Sequence, residues 1–180
     1  MRKTPKLALK ITKSLPSNSL IPTSESLISG HSSLAQINDQ IYIGSYEDAC
    51  DYLKLRENQI TDIINCSPFN CPNTFKEDFN YFNFELCDSQ DFDLWDPMNA
   101  IIKLIQELKS DGRKILIHCY QGISRAPSIA IGYLIQCEDR NVDDAIKHVK
   151  STYMKADPNV GFMIQLEEYY KVIHSKRGSL

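Results

Sequence analysis

Long apolar runs are missing from this 180-residue chain. No uncharged stretch approaches the roughly 18 residues that cross a bilayer. No signal-peptide hydrophobic region opens the sequence, which argues against export. There is no surplus of positive charge. Lys and Arg number 20 against 23 Asp and Glu, a formal net charge of −3, and that balance argues against nucleic acid as the main partner. Cysteines are few and unpatterned. Cys50, Cys66, Cys71, Cys87, Cys119 and Cys137 form no repeated CxxC pair, so neither a disulfide scaffold nor a zinc site is indicated. Reduced thiols in the cytosol or nucleus are the expectation. The nucleotide-binding pattern GxxxxGK followed by Ser or Thr is absent, as is any internal repeat.

What remains is ordinary globular material, 42% hydrophobic and 24% charged, enough for one domain with one real core. Its charge is uneven. Residues 1–24 hold Arg2, Lys3, Lys6, Lys10 and Lys13 and no acid, so all 23 acidic residues lie beyond them. Residues 1–33 also carry eight serines and Pro5, Pro16 and Pro22 without sustained periodicity. Such composition buries too little apolar surface to offset chain entropy. The reading is therefore a flexible basic tail over 1–33, a folded domain over 34–175 and a short C-terminal tail over 176–180.

Within the domain, strands and helices alternate. Ile41 and Ile43 alternate with mixed neighbours up to Gly44 and predict a short strand. Tyr46, Ala49, Cys50 and Leu53 share the spacing of one helix face. Ile60–Cys66 and the alternation of Phe82, Phe84 and Leu86 predict two more strands. Asp96 is the expected N-cap of a helix with Pro97 at its first position. Ile101, Leu104, Ile105 and Leu108 form that helix's apolar stripe, and Gly112 breaks it. Ile115–Ile117 is continuously apolar, as suits a central parallel strand covered on both faces. Ile129–Cys137 is apolar nearly all round and predicts a buried helix. Another helix follows from Val142, Ala145, Ile146 and Val149, capped by Asn141, and a last one from Phe162, Leu166, Tyr169 or Tyr170, and Ile173. This order predicts a three-layer α/β domain with a mostly parallel central sheet flanked by helices.

The segment that carries chemistry is His118-Cys119-Tyr120-Gln121-Gly122-Ile123-Ser124-Arg125. It joins an apolar strand to a buried helix, where open α/β sheets bind ligands. Five residues between Cys119 and Arg125 allow the loop to curl until its N–H groups converge on an anion. The helix N-terminus adds positive potential, and Arg125 can grip two phosphate oxygens at once. Gly122 permits the sharp turn. The same field favours the thiolate of Cys119, the form that attacks phosphorus. The other five cysteines are read as small buried hydrophobes. His31, His148 and His174 have no local partner pattern and are read as surface residues.

Here the chain resembles a known family. HCxxGxxR is the signature of cysteine-dependent protein tyrosine phosphatases, and the surrounding words are similar to the small dual-specificity subgroup. The resemblance runs from about Ile37 to Ile173 and includes IYIGS, ITDIINCS, CDSQDFDL, HCYQGISRAPSIAIGYLI and PNVGFMIQLEEY. It implies a protein-tyrosine-phosphatase-like fold. It also implies a metal-independent hydrolase with no cofactor, acting on phosphotyrosine and on phosphoserine or phosphothreonine in proteins. The catalytic residues implied are Cys119 as nucleophile, Arg125 as phosphate clamp and Asp88 as general acid. Tyr120, Gln121, Gly122, Ile123, Ser124 and Arg125 would form the phosphate loop, with His118 and Ser128 in support. His118 is expected to order the loop through hydrogen bonds. Asp91, Asp93 and Asp96 are read as a solvated acidic loop with a helix cap.

One position departs from the family pattern. A Ser or Thr often follows the Arg, where its hydroxyl steadies the departing thiolate; this chain has Ala126, then Pro127. Ser124 and Ser128 are the nearby hydroxyls. Two alternatives remain for the function: a phosphate-binding pseudophosphatase or scaffold, and a phosphoinositide phosphatase, which the absence of Lys from the loop disfavours. In the tail, Arg2 and Lys3 followed by Leu7-Ala8-Leu9 fit a basic-spacer-hydrophobic pattern for docking on a MAP kinase. The same lysines equally fit attraction to a membrane surface, a transit peptide or a solvated tail. Oxidation of Cys119 could pair it with Cys87 beside the acid loop.

Overall fold

The computed structural model describes residues 34–177, with side chains through residue 175. The basic tail, its docking pattern and His31 lie outside the described residues. In chain order the elements are β1 (Ala35–Gln36), β2 (Ile41–Ser45), α1 (Tyr46–Ala49), α2 (Tyr52–Glu57), β3 (Asp62–Asn65), β4 (Asn80–Asn83), α3 (Trp95–Ser110), β5 (Ile115–Cys119), α4 (Arg125–Cys137), α5 (Val142–Thr152) and α6 (Val160–Arg177). The sheet runs β1-β2-β5-β3-β4. Only the β1–β2 pair is antiparallel; β5 pairs in parallel with both β2 and β3, and β3 with β4.

The apolar run at Ile115–Ile117 thus occupies the middle of the sheet, fully buried. Successive strand residues face opposite sides, and the core divides accordingly. Ile41, Ile43, Ile64, Ile115 and Ile117 join the larger cluster with α3, α4, α5 and α6. Tyr42, Ile63 and Leu116 turn to the other face and pack with Ala49, Leu55, Ile60 and Phe79. The expected three-layer α/β arrangement is what forms. Helix α4 is buried from Ala126 to Ile135, as its all-round apolar character predicts.

Capping chemistry moves several boundaries. The helix face predicted across Tyr46–Leu53 is split in two. Ser45 and Asp48 form a capping box for α1, and extended Asp51 caps α2 by accepting the Lys54 N–H. The break rotates Leu53 outward to 63% exposure. Asp96 is not the N-cap of α3. That helix starts at Trp95, whose N–H is accepted by Asp93 at 3.0 Å, while Gln165 of α6 accepts the preceding Leu94 N–H at 2.8 Å. The helix starts one residue before Asp96, with Leu94 at the cap position and no side-chain cap bond from it, and a partner from α6, distant in sequence, holds the cap residue's own N–H. Gly112, at φ 71°, ends α3, and Asn141 caps α5 through the Asp144 N–H. His148 is half-buried, its Nε2 2.7 Å from the Ile37 carbonyl, and the His174 ring packs tilted against Tyr170. Both have partners that their exposed-residue reading does not contain. No helix among the described residues is long and apolar enough to cross a membrane.

Candidate active site

The parallel register sets Ser45 opposite Cys119 and Asn65 opposite His118. The carboxyl ends of β2, β5 and β3 therefore share one edge, and residues 120–124 loop out from it into α4. Cys119 is buried at the strand end. Three loop carbonyls are held from outside: Tyr120 O accepts the Tyr46 N–H at 3.1 Å, Ile123 O the Asp157 N–H at 2.7 Å, and Ser124 O the Ser128 N–H at 3.0 Å. Across a trans peptide the N–H points away from the C=O. The N–H groups of Gln121, Ser124 and Arg125 are therefore turned the other way, toward the concave side of the loop.

Gly122 lies at φ 76°, a conformation that disfavours any residue with a Cβ. A Cβ there would also collide with the Tyr153 hydroxyl and lie 2.9 Å from the Gly44 carbonyl. Tyr153 thus buttresses the turn from behind. Burial first, and then the charges of Asp48 and Cys119, push its hydroxyl up to about 12, so it stays protonated.

Arg125 opens α4 with its side chain only 11% exposed. Nη1 donates to Ser67 Oγ at 2.7 Å and to the Leu86 carbonyl at 3.3 Å. Ser67 is itself fixed, its N–H donating to Asn65 Oδ1 at 3.0 Å. Arg125 Nε is buried, makes no hydrogen bond among the described residues, and lies 3.4 Å from Asp88 Oδ2. The ion-pair contact leaves this buried N–H without a hydrogen bond, which is costly, and a phosphate oxygen is an acceptor that suits it.

Asp88 is brought to this spot by contacts scattered along the sequence. Its Oδ1 accepts from Ser124 Oγ at 2.7 Å and from Asn159 Nδ2 at 2.8 Å. The loop that carries it is pinned to the start of α6. Gln165 Nε2 donates to Phe92 O at 2.8 Å, Phe92 packs edge-on against Phe162, and the backbone of Gln90 lies against Gly161 so closely that no Cβ would fit. Asp91 and Asp93 are exposed on the same loop, Asp93 serving the α3 cap.

The electrostatics beneath the loop are set by burial. Burial pushes the His118 imidazole down to about 4, so it is neutral at pH 7. Its ring stacks on Tyr46 at 6.2 Å between centroids, and its carbonyl accepts the Cys66 N–H at 2.8 Å. Its Nδ1 finds no hydrogen-bond partner among the described residues. Burial also raises the thiols of Cys66 and Cys71, which keeps both protonated beside Cys119. Cys87 is exposed. Among the described residues, no three His, Cys, Asp or Glu side chains stand together as a metal-binding set.

A family profile described as "Dual specificity phosphatase, catalytic domain" matches residues 41–172. The chain belongs to that family. It is 38% identical over 141 residues to protein-tyrosine-phosphatase MKP1 of Arabidopsis thaliana, a match covering 78% of this chain and 18% of that one. Over 140 residues it is 31% identical to dual specificity protein phosphatase 22 of Mus musculus, covering 78% of this chain and 75% of the relative. The crystal structure of human DUSP28 superposes with a TM-score of 0.75 at 22% identity, covering 79% of this chain and 99% of that one, a likeness of fold. The chain spans under a fifth of the plant relative's length, 18%, but 75% of the mouse relative's.

Within this dual-specificity phosphatase domain, Ser124 and Arg125 both contact Asp88, at the end of the loop that follows Cys119. Ser128 does not face the loop interior: its Oγ donates back to Ser124 O at 2.8 Å. Ser67, Tyr153 and Asn159 belong to the site and were not singled out from the sequence. Ser67 and Asn159 lie in ITDIINCS and PNVGFMIQLEEY, two of the words similar to the family. Those words are the signal that could have found them.

Proposed function

We infer that this domain hydrolyses phosphate monoesters on proteins, accepting phosphotyrosine and phosphoserine or phosphothreonine, through a cysteinyl-phosphate intermediate. The observation that carries the reading is the buried Nε–H of Arg125, which makes no hydrogen bond among the described residues and faces the carboxyl of Asp88 at 3.4 Å. In the first step the Cys119 thiolate forms a bond to phosphorus as the ester P–O bond breaks. The electron pair leaves on the ester oxygen, which takes the proton of Asp88. In the second step the Asp88 carboxylate takes a proton from water. Water oxygen bonds to phosphorus, the S–P bond breaks, and inorganic phosphate leaves with the thiolate restored. The loop N–H groups and Arg125 stabilise the equatorial oxygens in both transition states. Nucleophile, acid and charge clamp are all side chains or peptide groups, so the chemistry calls for no metal.

The rival is a pseudophosphatase that binds phosphate without turnover. Release of phosphate from 4-nitrophenyl phosphate and from phosphotyrosyl and phosphothreonyl peptides separates the two. The wild type turns over and is indifferent to EDTA, Cys119→Ser binds but does not turn over, and activity surviving in Cys119→Ser would overturn the mechanism. A MAP kinase partner docked on Arg2, Lys3, Leu7 and Leu9, signalling as the setting and a cytoplasmic or nuclear location are parts of the same proposal, drawn from the sequence. Deleting residues 1–20 tests the docking: binding to every candidate kinase left unchanged would end it.

A further inference from the structure

We propose that the domain removes phosphate from its own N-terminal segment, with phosphoserine or phosphothreonine at positions 23–29 as an intramolecular substrate. This rests on the phosphatase reading above and names one substrate for it. Strand direction sets where that segment enters the fold. β2 runs toward the catalytic edge and ends with Ser45 opposite Cys119. β1 is antiparallel to it, with Ala35 opposite Ile43, so the chain enters β1 at that same edge. Leu34 anchors the entry: it is 4% exposed and packs with Tyr42, Ala49 and Leu55. The order β1-β2-β5 puts this entry two strands from Cys119, a lateral distance of about 10 Å. Residues 1–33 contain eight Ser and three Thr but no Tyr, so the hydroxyls there that a protein kinase can esterify from ATP are all aliphatic. Thr23, Ser24, Ser26 and Ser29 stand 5 to 11 residues before Leu34. Chains of that length have root-mean-square spans of roughly 12–18 Å, enough to cross two strands and turn into the phosphate loop. A tether that matches its span gives an effective concentration in the millimolar range. Ser33 adjoins the anchored Leu34 and has no such slack. On phosphoserine 26 the Cys119 thiolate bonds to phosphorus as the P–Oγ bond breaks. Asp88, 34% exposed beside the Arg125 Nε, gives its proton to the departing serine oxygen. Water then takes the phosphoryl group from sulfur, which leaves Ser26, inorganic phosphate and the thiolate. The domain thus erases a mark that a kinase writes beside its own catalytic edge.

The test uses the full-length chain carrying phosphoserine at position 26. It is made by cell-free translation in orthovanadate, an oxyanion that fills the phosphate site until gel filtration removes it. Release of inorganic phosphate is then followed over a roughly 100-fold range of protein concentration, and the expected result is a first-order rate constant that does not change. The comparison is Cys119→Ser carrying the same phosphate, mixed with unmodified wild type at micromolar concentration. Its loss of phosphate is bimolecular and is expected to be at least about 10-fold slower, because the tether holds its substrate at millimolar effective concentration. Phosphate at position 33 of the wild type is likewise expected to leave at least about 10-fold more slowly than at position 26. A rate constant that rises in proportion to protein concentration, or equal rates from positions 26 and 33, overturns the proposal. No release from position 26 while 4-nitrophenyl phosphate and a phosphoseryl peptide are hydrolysed overturns it too and leaves the phosphatase reading standing. If the wild type hydrolyses none of the three, the phosphatase reading falls and takes the proposal with it.

Discussion

Ala126 occupies the first turn of α4, fully buried behind the arginine. A hydroxyl at this position could donate to the sulfur as negative charge returns to it in the second step. The neighbouring hydroxyls do not replace it, because Ser124 donates to Asp88 and Ser128 to the Ser124 carbonyl. Departure of the thiolate therefore proceeds without that donor, and the cysteinyl-phosphate should accumulate during turnover. A hydrogen bond to a charged group contributes about 1.5–3 kcal/mol, and only part of that separates the transition state from the intermediate. Ala126→Ser is expected to raise kcat by up to roughly 10-fold and to shrink the rapid-quench burst of phosphoenzyme. An unchanged burst and an unchanged kcat would place the slow step elsewhere.

The acid loop and the start of α6 act as one element. Gly161 is the point of closest approach, since a Cβ would be driven into the Gln90 carbonyl. Gly161→Ala must push the loop away, stretching the Asn159–Asp88 and Gln165–Phe92 hydrogen bonds. Its expected signature is a loss of kcat that grows as the leaving group becomes poorer, with KM nearly constant and some loss of thermal stability. Gly122→Ala, by contrast, deforms the phosphate loop itself and should raise KM for every ester. The sequence made much of this site readable because local chemistry fixes it. An apolar strand run, a five-residue loop and an arginine at a helix start suffice to place Cys119 and Arg125 together. The tertiary contacts are different. Nothing local to Asp88 announces Ser124 or Asn159, which are 36 and 71 residues away. Nothing local to Trp95 announces Gln165. Short-range caps also outweighed periodicity where Ser45 and Asp51 each start a helix and split one predicted face into two.

At the scale of the whole molecule, the surface around the site and the buried groups beneath it set selectivity and pH range. The loop side chains Tyr120, Gln121, Ile123 and Ser124 include no Lys, and Tyr120 and Phe69 are exposed, the latter at 87% beyond Ser67. Exposed aromatic side chains and a loop without Lys suit a protein segment better than a polyphosphorylated headgroup. The kcat/KM for phosphopeptides is accordingly expected to exceed that for phosphoinositides by at least about 10-fold, since meeting an added phosphate takes a cation; comparable values would reopen the lipid reading. His118 makes the stability depend on pH. Its imidazole is held at about 4 by burial against an ordinary 6.5. Between those values the unfolded chain binds a proton that the native state refuses, so stability is whole above pH 6.5 and falls as pH drops toward 4. A shift of this size corresponds to on the order of 3 kcal/mol. Asp48 does not confound the window. Burial raises its carboxyl, but hydrogen bonds from Lys54 and Ser45 outweigh that and lower it below 3.8, so its contribution is lost only at more acid pH. The melting temperature of the wild type should therefore decline from pH 7 to pH 4.5. His118→Asn, which has no titrating ring, should show a flatter profile from a lower starting point. A slope that persists undiminished in His118→Asn would assign the acid sensitivity to another group.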